Sequence, residues 1–543
     1  MRHINRKPCL YSGRGRVRQS FQFLPLVSAL IAGSAISAPS VDLPGGTTLD
    51  YSVTLSYTAS QRLEKADSAY LNNPNQDDGT RNFDRGSLIT NRLNALGEVS
   101  LTHENVGALV RGSIFYDAAY KGANDNDSPN TVNKYGPYNR FTSKAEDLSG
   151  QKARLLDAYV YGTWALEGEK YLTLNLGRHT RAWGEALFFP NISQGQVPLD
   201  ATKFNVPGTE AKEGYLPVGQ LSGSLTLTPD LTLTGYYQYK WEETQLNPVG
   251  NFFGSDVFGP GAEFYRFGAN KINFAGEFKP KDSGQWGLGA RYQLNEHTEL
   301  GIFHYRYHSR VGSLLFDFTG DTQYSSFRNL GAGVPGTYKV AYFDDIELTG
   351  LSFSTKFGDA VQMGGDLSYR DNAPVSVDGG GVARGSYIQA NVSALYTMGP
   401  SFVARQTTLM GEVMHQRING VDTLIKTVGG VSTNLNDYVY DTATSEQTRD
   451  STLLALGAVF DNPGIASGWD LNAKAILTQN ISGSAVGGLG RHEKRLTLGA
   501  DFKRLGNFTI GLTYAAYLSS ADVREGRTMA DRDFISVNIK QSF

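Results

Sequence analysis

Thiol is almost absent from this chain. Of 543 residues one is cysteine, Cys9, and it lies in a basic N-terminal leader. Removal of that leader removes the thiol, which excludes a disulfide framework or a cysteine metal site. Cys9 also stands too early to be a lipidated lipoprotein cysteine. Long hydrophobic runs are missing after residue 37, where no stretch supplies the ~20 apolar residues that a spanning helix needs, and this argues against an inner-membrane location. Enzyme signatures are lacking too. There is no Gly-x-Ser-x-Gly elbow and no phosphate-cradling Gly-x-x-x-x-Gly-Lys, and Gly379-Gly380-Gly381 reads as loop. Asp77-Asp78-Gly79 and Asp125-Asn126-Asp127 lack the spacing and terminal Glu of an EF-hand. His304, Arg306 and His308 share a strand face, but residues four apart on a strand are ~13 Å apart, too far to share a metal. The chain reads as a non-enzyme with no cofactor and no metal. A Ser and a His on neighbouring strands, as in a lipase or protease barrel, is the remaining enzymatic alternative.

What is there begins with Arg2, Arg6, Lys7, Arg14, Arg16 and Arg18, followed by the acid-free apolar stretch Phe21 to Ile36 and the small residues Ser37 and Ala38. This is the pattern of a secretory signal peptide over residues 1–37, with cleavage after Ser37 or Ala38 and Pro39 disfavouring the second. The leader holds six of the 50 Lys and Arg and none of the 53 Asp and Glu, leaving 44 against 53, a net charge of −9. Such mild acidity gives no support for nucleic-acid binding.

From Leu49 to Phe543 the chain repeats segments of about ten residues with strict alternation. Trp286, Leu288, Ala290, Tyr292 and Leu294 take one parity against Gln285, Gly287, Gly289, Arg291 and Gln293. Leu231, Leu233, Tyr237 and Tyr239 oppose Thr232, Thr234, Gln238 and Lys240 in the same way. Successive strand side chains point to opposite faces, so one face is apolar and the other wet. A soluble β-sandwich alternates likewise, but the signal peptide and an alternating last strand ending on Phe543 select a transmembrane antiparallel β-barrel.

Short polar links at His103-Glu104-Asn105, Glu167-Gly168-Glu169, Thr228-Pro229-Asp230, Asn295-Glu296-His297, Gly358-Asp359, Gly399-Pro400, Asn462-Pro463-Gly464 and Arg504-Leu505-Gly506-Asn507 join alternating segments. Longer Gly-, Asn- and Asp-rich stretches separate these hairpins, among them residues 178–217, 243–283 and 371–385. Short periplasmic turns and long extracellular loops have this asymmetry. Eight hairpins plus a first and a last strand predict about 18 strands over residues 48–543, with 16 as the count if one hairpin is misread, and a short periplasmic segment over 38–47.

A barrel this wide is not filled by its strand side chains, so unplugged it encloses an aqueous passage. The stretches 178–217 and 243–283 are rich in aromatics, unlike disordered segments, and are expected to fold toward the lumen and constrict it. The alternatives are a cap above the membrane or a protein-binding patch. Candidate lining residues are Trp183, Phe188, Phe189, Phe252 and Phe253, with the charged Arg178, Arg181, Glu185, Asp200, Lys203, Glu210, Lys212 and Glu213. Mixed charges in one loop either cross-link it to the barrel wall or form a constriction of opposed charges.

The segment Leu174 to Leu187 reads LNLGRHTRAWGEAL; after it come Val197-Pro198-Leu199-Asp200, Pro207 to Glu213, Leu216-Pro217, Tyr237 to Glu242, Asn247 to Phe253 and Gly259-Pro260-Gly261. In kind and order these motifs, over about residues 155–265, resemble the proteobacterial outer-membrane family called domain of unknown function 1302. Members usually carry Gln after the Gly-Arg pair, where this chain has His179. The resemblance implies an outer-membrane protein associated with hydrophobic-compound metabolism and, as a partner, an RND-type permease.

The sequence thus predicts a passive outer-membrane channel for small hydrophobic or amphipathic molecules in a Gram-negative bacterium, in contact with outer-membrane lipid and handed to the barrel-assembly machinery through Phe543. A general porin for polar solutes and an adhesive or structural barrel are the other readings.

Overall fold

A computed structural model describes residues 40–317, 336–377, 381–422, 425–428, 431–434 and 448–543. The expected signal peptide, Cys9 and the start of the expected 38–47 segment lie outside the described residues, as do Gly379 and Gly380. Eighteen antiparallel strands form one closed ring. They are β1 (Thr47–Arg62), β2 (Leu88–His103), β3 (Val106–Asp117), β4 (Gln151–Leu166), β5 (Lys170–His179) and β6 (Val218–Thr228). Next come β7 (Leu231–Gln238), β8 (Gln285–Asn295), β9 (Thr298–Tyr307), β10 (Ile346–Phe357), β11 (Val361–Val377) and β12 (Gly381–Met398). The ring is completed by β13 (Gln406–Val421), β14 (Asp450–Ala466), β15 (Trp469–Ser482), β16 (Lys494–Arg504), β17 (Phe508–Tyr517) and β18 (Phe534–Ser542). Each strand pairs with its neighbour in sequence. β18 closes on β1 from Arg62↔Phe534 to Thr54↔Ser542. Phe543 adds a reciprocal backbone pair with Val53, at 2.9 and 3.2 Å.

The alternation of the sequence becomes the two faces of the wall. On β8, Leu288, Tyr292 and Leu294 are exposed while Gln285 and Gly287 are buried. On β11, Leu367 and Tyr369 face out and Asp366, Ser368 and Arg370 face in, all three buried. Val110, Leu176, Ile302 and Val413 continue the outward apolar belt on other strands. Apolar surface of this extent is stable against hydrocarbon, not against water, and the polar face turned inward requires the reverse. The ring leaves no open edge, so every strand satisfies its backbone groups without water. The protein is an outer-membrane β-barrel. Among the described residues no helix is long and apolar enough to cross a membrane.

All eight hairpins form, seven where the polar links predict them. The eighth is displaced. β14 runs on through Asn462-Pro463-Gly464 to Ala466, with an irregular register between Asn462 and Ala466, and the turn falls at Ser467-Gly468. Gly464 (φ +69°) absorbs the irregularity and Gly468 (φ +73°) makes the turn. Residues 371–385 are likewise mostly strand rather than loop, because a bulge at Asn372 (φ +63°) lets β11 bend and continue pairing to Val377. Of the expected periplasmic segment 38–47, Ser40–Leu43 is a strand that pairs with Thr47–Asp50 of β1.

Above the long-link end, Phe264–Phe267, Asn270–Phe278, Ser313–Asp317 and Thr337–Ala341 form a separate four-stranded sheet. The 63–87, 118–150 and 239–284 links share a core with Phe83, Tyr120, Phe141 and Phe252 at its centre. The core cluster around Trp183, Phe303, Tyr305 and Leu348 instead joins the 180–217 link to the inner face of the wall.

Candidate functional site: a link laid across the lumen

The 180–217 link leaves β5 at His179 and turns inward because its sequence alternates flexible and anchoring residues. Trp183 is the first anchor: its ring stacks on Phe303 of β9 at 5.1 Å and tilts against Tyr236 of β7 at 5.0 Å. The wall makes room for it with glycine. A Cβ on Gly287 would lie 2.6 Å from Tyr236 and 2.9 Å from Trp183. Gly184 follows with φ +96° and touches Asp366 of β11, whose carboxylate accepts the Glu185 N–H at 2.8 Å.

The link then reaches β13, seven strands around an eighteen-strand ring from β6. There the consecutive N–H groups of Leu187, Phe188 and Phe189 all donate to one oxygen of Glu412, the outer two at 3.0 and 3.3 Å. The other Glu412 oxygen accepts from Asn391 of β12 at 2.5 Å. Glu412 is 1% exposed, and three amide dipoles aimed at it replace its lost hydration. Beyond this point Asn191 donates to the carbonyl of Gln389 at 3.2 Å and to Asn391 Oδ1 at 3.0 Å. The buried guanidinium of Arg370 holds the Asn191 carbonyl at 2.7 Å, that of Arg310 holds Gly195 at 3.3 Å, and Tyr305 donates to the Ile192 carbonyl at 2.7 Å.

The return half is fastened to a third part of the wall. Asp200 caps the helical turn Ala201–Phe204 and pairs with Arg154 of β4 at 2.8 Å. Lys203 pairs with Glu213 at 2.9 Å and donates to Asn94 of β2 at 2.8 Å. Glu210 pairs with Lys540 of β18 at 3.3 Å, and Lys212 with Glu98 of β2 at 3.6 Å. Thr58 of β1 donates to the Pro207 carbonyl at 3.3 Å. The link therefore touches the wall at β7 to β9, at β11 to β13 and at β18 through β4.

Of the sequence-derived set, Trp183, Glu185, Phe188, Phe189, Asp200, Lys203, Glu210, Lys212, Glu213 and Arg181 lie on this one element. Arg178 does not turn inward with them. It is on the parity of the outward Leu174 and Leu176 and pairs with Glu242 at 3.1 Å. Phe252 is placed differently from its expected lining role. It is 0% exposed, T-shaped against Phe83 at 5.5 Å and beneath Arg62 and Arg532, while Phe253 packs on it at 4.9 Å and on Phe534 at 5.7 Å. A ring with no exposed surface lines nothing; it holds the links to each other. Exposed apolar surface on the 180–217 link comes instead from Leu187, Phe204 and Tyr215. Glu412, Asp366, Asn391 and Arg370 were not singled out by sequence, since a polar residue at an inward strand position looks the same whether it meets water or a loop.

The family model described as protein of unknown function DUF1302 matches residues 21–543, nearly the whole chain. The chain is a DUF1302 protein. No curated protein matches it. Among solved structures this DUF1302 chain is similar to OccAB3 of Acinetobacter baumannii, with 11% identity, coverage of 91% of this chain and 99% of that one, and a TM-score of 0.44. OccAB1 of the same species gives 10% identity, 91% and 96% coverage and a TM-score of 0.44. Pseudomonas aeruginosa OpdK, solved with vanillate, gives 11% identity, 91% and 98% coverage and a TM-score of 0.40. Likeness this distant says nothing about cargo.

Proposed function

We propose that this DUF1302 protein is a passive outer-membrane channel whose 180–217 link constricts the lumen and passes small amphipathic or hydrophobic molecules. The observation that carries the proposal is the triple amide contact with Glu412, which holds a loop rooted at β5 and β6 against a distant wall. A segment that spans an aqueous passage narrows it, and its exposed Leu187, Phe204 and Tyr215 give the narrowed part an apolar lining.

One observation favours a second reading, a porin for polar solutes. The inner wall carries charge pairs such as Arg111 with Glu98 (2.5 Å) and Asp157 (2.6 Å), and Arg291 with Glu299 (2.6 Å). Comparing the flux of sugars with that of fatty-acid-like and steroid-like molecules in proteoliposomes separates the two. Faster flux of the amphiphiles supports the proposal, and flux of sugars alone overturns it.

A further inference from the structure

Every charged residue of the 178–217 stretch but one has a counter-charge. Arg178 has Glu242, Glu185 has Arg291, Asp200 has Arg154, Lys203 has Glu213, Glu210 has Lys540 and Lys212 has Glu98. The exception is Arg181. Its guanidinium makes one hydrogen bond, to the neutral hydroxyl of Thr234 on the inner face of β7 at 2.5 Å, and no ion pair among the described residues. The charged group that acts on it is another cation, Arg291 of β8. Arg291 holds two carboxylates, Glu185 at 3.5 Å and Glu299 at 2.6 Å, and neither of them pairs with Arg181.

A half-buried cation facing a second cation is an unfavourable arrangement for a purely structural group. The neighbouring arginines Arg370 and Arg310 show what structural use looks like here: both are buried and both donate to link carbonyls. Arg181 donates to no carbonyl of the link. Its remaining N–H groups form a planar fork of the kind that takes a carboxylate or another oxyanion in two parallel bonds. Six residues further along the same link, Leu187 presents an exposed apolar side chain.

We propose that Arg181 is the anion-recognising residue of the passage, receiving the negatively charged head group of an amphipathic solute while the pairing of its neighbours stays intact. The inference rests on the channel reading above and names the solute class for it: monoanions with an apolar tail.

The test uses full-length, signal-processed protein, with Arg181→Gln and Arg181→Lys variants checked for folding by heat-modifiable migration in cold detergent gels. In planar bilayers under a KCl gradient, Arg181→Gln shifts the reversal potential toward cation preference. It also weakens current block by octanoate roughly tenfold or more, the loss of one or two charge-assisted hydrogen bonds. Block by octanol is unchanged, and Arg181→Lys keeps the anion preference of the parent. A reversal potential and an octanoate block equal to those of the parent overturn the inference while leaving the channel standing. If the parent itself does not conduct, the channel reading fails. The head-group site is then decided by octanoate binding to nanodisc-embedded protein in saturation-transfer NMR, and equal binding by the parent and Arg181→Gln overturns it.

Discussion

Gly184 lies against Asp366 so closely that a Cβ on it would stand 2.5 Å from the Asp366 Oδ2 atom, and its φ of +96° already belongs to glycine. This contact starts the run that carries the link to β13. Gly184→Ala is expected to cost about 1–2 kcal/mol in backbone strain alone and to lift the link from β11. Single-channel conductance in planar bilayers should rise while the amount of folded barrel stays the same. Unchanged conductance would show that the link does not set the width of the passage.

Glu412 is the acceptor on which three link amides converge. Glu412→Ala leaves those donors to find water at a cost of about 1–3 kcal/mol, and the smaller residue opens space beside Phe189. Faster hydrogen exchange of the Leu187, Phe188 and Phe189 amides, with protection of the barrel strands retained, is the expected result. Protection of all three as in the parent would mean that other contacts hold this turn.

Phe252 separates mouth stability from conduction. Phe252→Ala removes a fully buried ring from the core of the links, which should lower the stability of that region by about 3–5 kcal/mol. The effect should appear as rapid proteolysis of the 63–87 and 239–284 links. Conductance should change less than with Gly184→Ala, and the reverse ranking would return Phe252 to the passage.

The same core carries a pH dependence. Burial pushes Asp78 up to about 6 from an ordinary 3.8, and burial beside Asp78 raises Asp256 well above its usual range. A carboxyl with a raised value in the folded state holds its proton when the unfolded chain has lost it. Stability is therefore greatest below about pH 4 and falls as pH rises through 6, by roughly 3 kcal/mol for Asp78. Protease sensitivity of the links should increase from pH 5 to pH 8, and Asp256→Asn should flatten the rise. A pH-independent rate in the parent would contradict this account.

The period of two, the punctuation at Glu104, Gly168 and Gly506, and the terminal strand ending on Phe543 were enough to determine a barrel of about eighteen strands and which face of each strand meets lipid, while the exact count came from ring closure. Those properties follow from local pattern, because a strand side chain has two directions and hydrocarbon accepts one kind of residue. The displaced turn at Ser467-Gly468 shows the limit of such punctuation: Asn462-Pro463-Gly464 reads as a turn locally, yet pairing across the sheet carries β14 past it. The 180–217 link was legible as an ordered element from its aromatics, and its mixed charges do fasten it to the wall. Which wall they reach was not legible. Glu412 and Leu187 are 225 positions apart in sequence, and only closure of the ring brings them together. Likewise Phe188 and Phe252 look alike as aromatics in long loops, but the tertiary structure seats one on the link across the lumen and the other in a core among links. A loop residue's role depends on which surfaces the closed barrel presents to it, and local periodicity carries no information about surfaces that distant strands create.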